Sequence, residues 1–151
     1  MIPSIVLTVP SDALLKTMNI LHRSILKMSA GKKGWNAGNM PVLKLTTTGR
    51  KSGAPRMVML TSPIQHGDCI VIVASRGGDD QHPAWLLNLR ENPIVEVQTK
   101  ELAKHKRQAR IANATERAVM WPIIIQKYKG YAAYQGKTER EIPLVLLDPI
   151  V

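Results

Sequence analysis

Residues Val42–Ser62 read VLKLTTTGRKSGAPRMVMLTS. Two runs rich in Val, Leu, Met and Thr, Val42–Thr47 and Arg56–Ser62, flank a basic turn containing Gly49 and Gly53. That pattern is a strand, a turn and a second strand. Working outward, further strand-like runs follow at Cys69–Ser75, Ile94–Thr99, Ala103–Ala112 and Ile142–Leu147, bounded by turn residues such as His66-Gly67-Asp68 and Gly77-Gly78. In Ala103–Ala112 polar and basic residues dominate both registers, so this strand is expected at a sheet edge or facing a charged site. Two helices interrupt the series. One opens at Pro83 and runs through Trp85, Leu86 and Leu89. The other starts near Ala114-Thr115-Glu116 and carries Val119, Met120 and Ile123–Ile125, with Pro122 marking its first turn or a kink. About six strands joined by hairpins and short helices exclude a doubly wound parallel sheet. They fit a closed or half-closed antiparallel barrel with peripheral helices.

The chain of 151 residues is the length of one domain, and 44% of it is hydrophobic, enough for one core. We read residues 1–151 as a single domain with 1–34 as an N-terminal extension. In that extension Ser11 and Asp12 start an amphipathic helix through Leu14, Leu15, Met18, Leu21, Ile25 and Leu26, ending before Gly31. No segment reaches the roughly 18–20 uncharged apolar residues that span a bilayer, and no export signal is read at the N-terminus. The single cysteine, Cys69, fits a reducing, cytoplasmic compartment, and its apolar run suggests a small buried hydrophobe.

Charge narrows the partners. Lys and Arg total 21 against 11 Asp and Glu, a formal +10, which attracts nucleic acid, anionic lipid or a phosphorylated or polycarboxylate cofactor. The tryptophans and tyrosines lie mostly in one C-terminal cluster and not along basic strands, which argues against a nucleic-acid stacking platform. The four histidines, His22, His66, His82 and His105, have no ligand spacing, so no metal is expected.

Four stretches carry chemistry. Thr46–Arg56 places Arg50, Lys51 and Arg56 with Ser52 on glycine hinges, a turn that either grips an anion or is simply solvated; it lacks the Walker spacing. Ala74-Ser75-Arg76-Gly77-Gly78 ends the most apolar strand and is either a plain turn or an edge presenting amides and a guanidinium. Trp85 and Asn88 sit three apart on one helical face. Tyr128, Tyr131 and Tyr134 repeat at the same spacing, offering phenols to a developing oxyanion.

Read together, T-T-G-R-K-S-G-x-P-R, A-S-R-G-G, H-P-A-W-x-x-N-L-x-x-N-P, Y-x-x-Y-x-x-Y and T-E-R-E-I-P resemble the deazaflavin-dependent nitroreductase family, from about Val42 to Pro149. The resemblance implies a mainly β, α+β fold: a split antiparallel β-barrel of the flavin-reductase, pyridoxamine-oxidase-like kind. It implies that Arg50, Lys51, Ser52, Gly53 and Arg56 hold the phosphate and anionic tail of the reduced deazaflavin coenzyme F-420. Met59, Ala74, Ser75, Arg76, Gly77, Gly78, Trp85 and Asn88 then complete the cofactor pocket. Tyr128, Tyr131 and Tyr134 border the substrate, and Tyr131, Tyr134 or Ser75 supplies the proton or hydrogen bond. The implied reaction is hydride transfer to a small-molecule acceptor, a quinone, enone or nitroaromatic. Departures from the family pattern are Met59, where many relatives carry proline, and the adjacent acids Asp79 and Asp80 after the glycine turn. Alternatives within the fold are a flavin mononucleotide (FMN) or haem binder and a non-catalytic lipid or fatty-acid carrier. The basic N-terminal helix allows contact with the inner face of the cell membrane, and split-barrel relatives are often homodimers.

Overall fold

The computed structural model describes residues 35–37 and 40–150. The strands are β1 (Asn36–Ala37), β2 (Met40–Thr48), β3 (Pro55–Thr61), β4 (Ile64–His66), β5 (Cys69–Val73), β6 (Ile94–Gln98), β7 (His105–Ile111) and β8 (Leu144–Pro149). They form one sheet in the order β1-β2-β6-β7-β8-β5-β4, with β3 also paired to β2, and every pairing is antiparallel. The helices are α1 (Ala84–Glu91), α2 (Ala114–Lys127) and α3 (Gly130–Gln135). This is the half-barrel with peripheral helices that the strand pattern implies.

Alternation builds the barrel. Along β2 the side chains of Leu43, Leu45 and Thr47 point inward, while those of Lys44, Thr46 and Thr48 stay half-exposed. Leu43 and Leu45 meet Ile70, Ile72, Leu86, Leu89, Val95, Val97 and Leu147 in the main core. A second cluster gathers Val71, Val73, Leu144 and Ile142 from the other face of β5 and β8 against α2 and α3. Helix α1 therefore plugs one side of the sheet, and α2 with α3 covers the other.

Several expectations need correction. The strand around Ala103–Ala112 is no edge: β7 lies between β6 and β8. Its outward charges pair locally instead, Lys104 with Glu96 of β6 at 3.0 Å and Arg110 with Asp148 of β8 and Glu116 of α2. Cys69 is exposed, because it opens β5 directly opposite His66 at the Gly67-Asp68 turn, where the strand has not yet entered the core. Pro122 lies in the interior of α2, not in its first turn. The proline stands on the exposed face, where solvent can satisfy the carbonyl that loses its amide partner. The capping box of Asn113 and Glu116 sets the start of α2. The short strands β1 and β4 escaped the sequence reading, since two or three residues carry no period. The amphipathic helix read from Ser11 lies outside the described residues. Among the described residues no helix is long and apolar enough to cross a membrane.

Candidate functional site

The Thr48–Pro55 connection closes tightly. Gly49 N donates to Ala54 O and Gly53 N to Gly49 O, both at 2.8 Å, so the turn stands as a rigid platform and not a loose loop. On it Arg56 Nη2 donates to Ser52 Oγ at 3.3 Å. Arg50 is drawn the other way: its backbone N–H and its Nη1 both donate to Asn88 Oδ1, at 3.2 and 2.9 Å. Asn88 in turn donates from Nδ2 to Thr47 Oγ1 at 3.2 Å. Asn88 is only 5% exposed, so a buried amide on α1 fixes the basic turn against the barrel.

Between the turn and α1 lies a cavity of about 410 Å³ lined by Thr47, Gly49, Arg50, Lys51, Ser52, Arg56, Met57, Val58, Ala84, Trp85 and Asn88. Three of these are cations and none is an acid. The apolar wall of Met57, Val58, Ala84 and Trp85 faces the charged rim. An anionic group beside a flat aromatic body meets both halves of such a cavity. The structure thus unites Arg50, Lys51, Ser52, Arg56, Trp85 and Asn88 in one place. Gly53 lines instead a neighbouring groove with Thr46, Thr48, Pro55, Ile94, Glu96 and Lys106. Met59 is buried with Trp35 and Val42 in a small core cluster and does not line the cavity. Thr47, Met57, Val58 and Ala84 were not singled out as site residues; only the pairing of β2 with β3 and the docking of α1 bring them to the cavity.

The remaining site residues form a second group. Ala74 and Ser75 follow β5, and the turn Arg76–Gly78 has three successive left-handed residues, with φ of 47°, 65° and 86°. Only Gly78 fits its place: a Cβ there would stand 2.7 Å from the carbonyl oxygen of Tyr134. The turn thereby packs directly on α3, the tyrosine helix. Asp79 is tied to Arg76 at 2.6 Å and Asp80 accepts from Thr138 Oγ1 at 2.7 Å, so both acids are engaged locally. Arg140, in the T-E-R-E-I-P segment but not singled out from it, donates to the carbonyls of Ala74, Ser75 and Asp79. Burial keeps its pKa below the ordinary arginine value. His82, beside Arg140 and near Arg90, is held below the usual histidine range, first by burial and then by those two cations.

The three tyrosines differ. Tyr131 is 6% exposed, and its hydroxyl lies 2.8 Å from Thr61 Oγ1 and 3.2 Å from Met40 Sδ. Burial pushes its phenol up to about 12, opposed by the Thr61 hydrogen bond. Tyr134 meets Tyr131 edge-on with ring centres 6.2 Å apart and is less buried, as is Tyr128. Among the described residues no group of His, Cys, Asp and Glu could hold a metal ion.

Comparison with known proteins gives a consistent neighbourhood. The family described as F420H(2)-dependent quinone reductase matches residues 20–149. An F420H(2)-dependent quinone reductase of Mycobacterium tuberculosis is 36% identical over 131 residues, covering 84% of this chain and 87% of that protein. The solved structure of an F420-H2 dependent reductase is 40% identical, with a TM-score of 0.64 over 72% of this chain and 94% of that one. A structure described as a domain-swapped dimer is 35% identical, with a TM-score of 0.67 over 85% of this chain and 96% of that one.

Proposed function

Because the chain belongs to the F420H(2)-dependent quinone reductase family, we propose that its cavity holds a reduced deazaflavin and that it passes hydride from it to a quinone-type acceptor. The observation that carries this reading is the acid-free cavity lined by three cations together with Trp85, Met57 and Val58. A deazaflavin offers a phosphodiester with an anionic tail for the cations and a planar ring for the apolar wall. When bound, it supplies two electrons as hydride, so the protein needs no nucleophile and no metal.

The chain's own residues bind, orient and exclude water. Lys51 and Arg56 grip the phosphate and tail; Arg50, already held by Asn88, adds a fixed cation. Trp85 and Val58 shield the ring, with Met57 at the open edge of the cavity. Ser75 and Tyr134 border the acceptor and donate a hydrogen bond to the oxygen that gains charge. Tyr131 keeps the tyrosine pair in place through Thr61. A quinone suits this arrangement because its two carbonyl oxygens can take hydrogen bonds from Ser75 and Tyr134 as they gain charge.

The reading extends to partners and place. The chain works in the cytoplasm, supported by its single cysteine, and its +10 charge draws it to the anionic inner face of the membrane. It pairs as a homodimer, as the domain-swapped relative does. Light scattering tests the dimer and sedimentation with anionic vesicles tests the membrane contact. The function itself is tested by following deazaflavin reoxidation with a quinone, an enone and a nitroaromatic as acceptors. The quinone is expected to be reduced fastest, and absence of turnover with all three acceptors contradicts the proposal.

A further inference from the structure

Arg140 stands outside both groups of site residues, yet it touches one of them at four points. From the tail behind α3 its Nη2 donates to Ser75 O at 2.9 Å, Nη1 to Ala74 O at 3.2 Å, and Nε to Asp79 O at 2.7 Å. Nη1 also lies 3.2 Å from His82 Nδ1. One guanidinium thus spans residues 74–82, both ends of the left-handed turn. A rigid fork of five donors on three nitrogens suits this task; the three donors of an ammonium radiate from one atom and do not span carbonyls from residue 74 to residue 79.

We propose that Arg140 is a positioning residue for hydride transfer, holding the Ala74–Ser75 and Ser75–Arg76 peptide units so that their N–H groups and the Ser75 hydroxyl face the reacting ring and acceptor. This rests on the deazaflavin reading above. Three observations support it. In a trans peptide the N–H points away from the carbonyl, so gripping the oxygens of Ala74 and Ser75 aims the N–H groups of Ser75 and Arg76 to the opposite side. A guanidinium on the oxygen also polarises the amide and makes its N–H a stronger donor. Finally, Arg76 adopts φ of 47°, a conformation that costs a non-glycine residue about 1 kcal/mol or more and persists only where surrounding contacts impose it.

A nearby arginine serves as the control. Arg117 donates to Ile142 O at 3.2 Å and to Gln135 Oε1 at 3.3 Å, pairs with Glu141 and stacks on Trp121; it reaches the Arg140 backbone only through Gln135 and makes no bond to the turn. It is a structural clamp of comparable burial.

The test uses the full chain loaded with reduced deazaflavin, a short-chain benzoquinone as acceptor, and the variants Arg140→Lys, Arg140→Gln and Arg117→Gln. Arg140→Lys is expected to lower kcat by about tenfold or more, the scale of a modest misplacement at a reacting centre. Its coenzyme Kd should stay within about threefold, because the cations of the basic turn are untouched. The absorption band of the bound oxidised coenzyme should move in both Arg140 variants. Arg117→Gln is expected to lower Tm with kcat and band unchanged. Should Arg140→Gln fail to fold, Arg140→Lys decides. Wild-type kcat and an unmoved band in Arg140→Lys overturn the inference, as does a loss of kcat that only tracks Tm. A wild-type protein that binds no deazaflavin overturns the proposed function and this inference with it. A wild type that binds and turns over beside an indifferent Arg140→Lys overturns this inference alone.

Discussion

At the residue scale, burial separates side chains that look alike in sequence. Tyr131 and Tyr134 occupy equivalent steps of one repeat, but only Tyr131 is buried with its hydroxyl engaged by Thr61. Tyr131→Phe leaves the Thr61 hydroxyl unpaired and should cost about 1–2 kcal/mol in denaturant unfolding. Tyr134→Phe should leave stability within about 0.5 kcal/mol and lower turnover, with cofactor affinity nearly intact. The reverse pattern would exchange their roles. His82 gives a pH signature. Its folded pKa lies below the ordinary 6.5, so the unfolded chain binds the proton more readily. The stability it contributes is fully present above pH 6.5 and is lost as pH falls through the folded value. His82→Gln keeps an acceptor for Arg140 and does not titrate. Its unfolding midpoint is therefore expected to fall less than that of the parent between about pH 7 and 5; equal slopes would contradict this.

At the element scale, the turn at Arg76–Gly78 is the joint between β5 and α3. Gly78→Ala meets the Tyr134 carbonyl and an unfavourable φ at once. It should cost about 2 kcal/mol or more, read from chemical denaturation. Gly53→Ala has the same kind of φ but open space around it, and is expected to cost only about 1 kcal/mol. The sequence exposes such a joint only in part. The glycine pair marks a turn at Gly77-Gly78, and the alternation of Leu43, Leu45 and Thr47 marks β2, because both are local signals. What covers an element is not local. The polar strand β7 reads as an edge or as facing a charged site until Glu96, Glu116 and Asp148 are placed beside it. Cys69 reads as buried until its register opposite His66 puts it at the open end of β5. Asn88 was legible as a partner of Trp85 on one helical face, but its bonds to Arg50 and Thr47, 38 and 41 residues away, follow only from the docking of α1.

At the scale of the whole molecule, a basic turn built on β2 and β3 lines one cavity with Trp85 and Asn88 of α1, and on the proposed reading it holds one end of the ligand. The strained turn packs on the tyrosine helix and, on the proposed reading, shapes the reacting end. The family pattern made both sets of residues legible, down to Arg50, Lys51, Ser52, Arg56, Trp85 and Asn88. It did not reveal that Met59 packs in a core cluster and lines no part of the cavity, or that one arginine, Arg140, braces the second group. Those are facts of packing, decided by which faces of the sheet the helices cover.

The central claim is that the basic turn binds the anionic end of a deazaflavin, and a fluorescence titration of the coenzyme across salt concentrations tests it most directly. The parent protein should bind deazaflavin more tightly than flavin mononucleotide, with affinity falling as salt rises. The double variant Lys51→Ala/Arg56→Ala should bind about tenfold to a hundredfold more weakly, with a flatter salt dependence, as expected for losing two exposed charge-assisted contacts. Unchanged affinity and an unchanged salt slope in the double variant would contradict the claim.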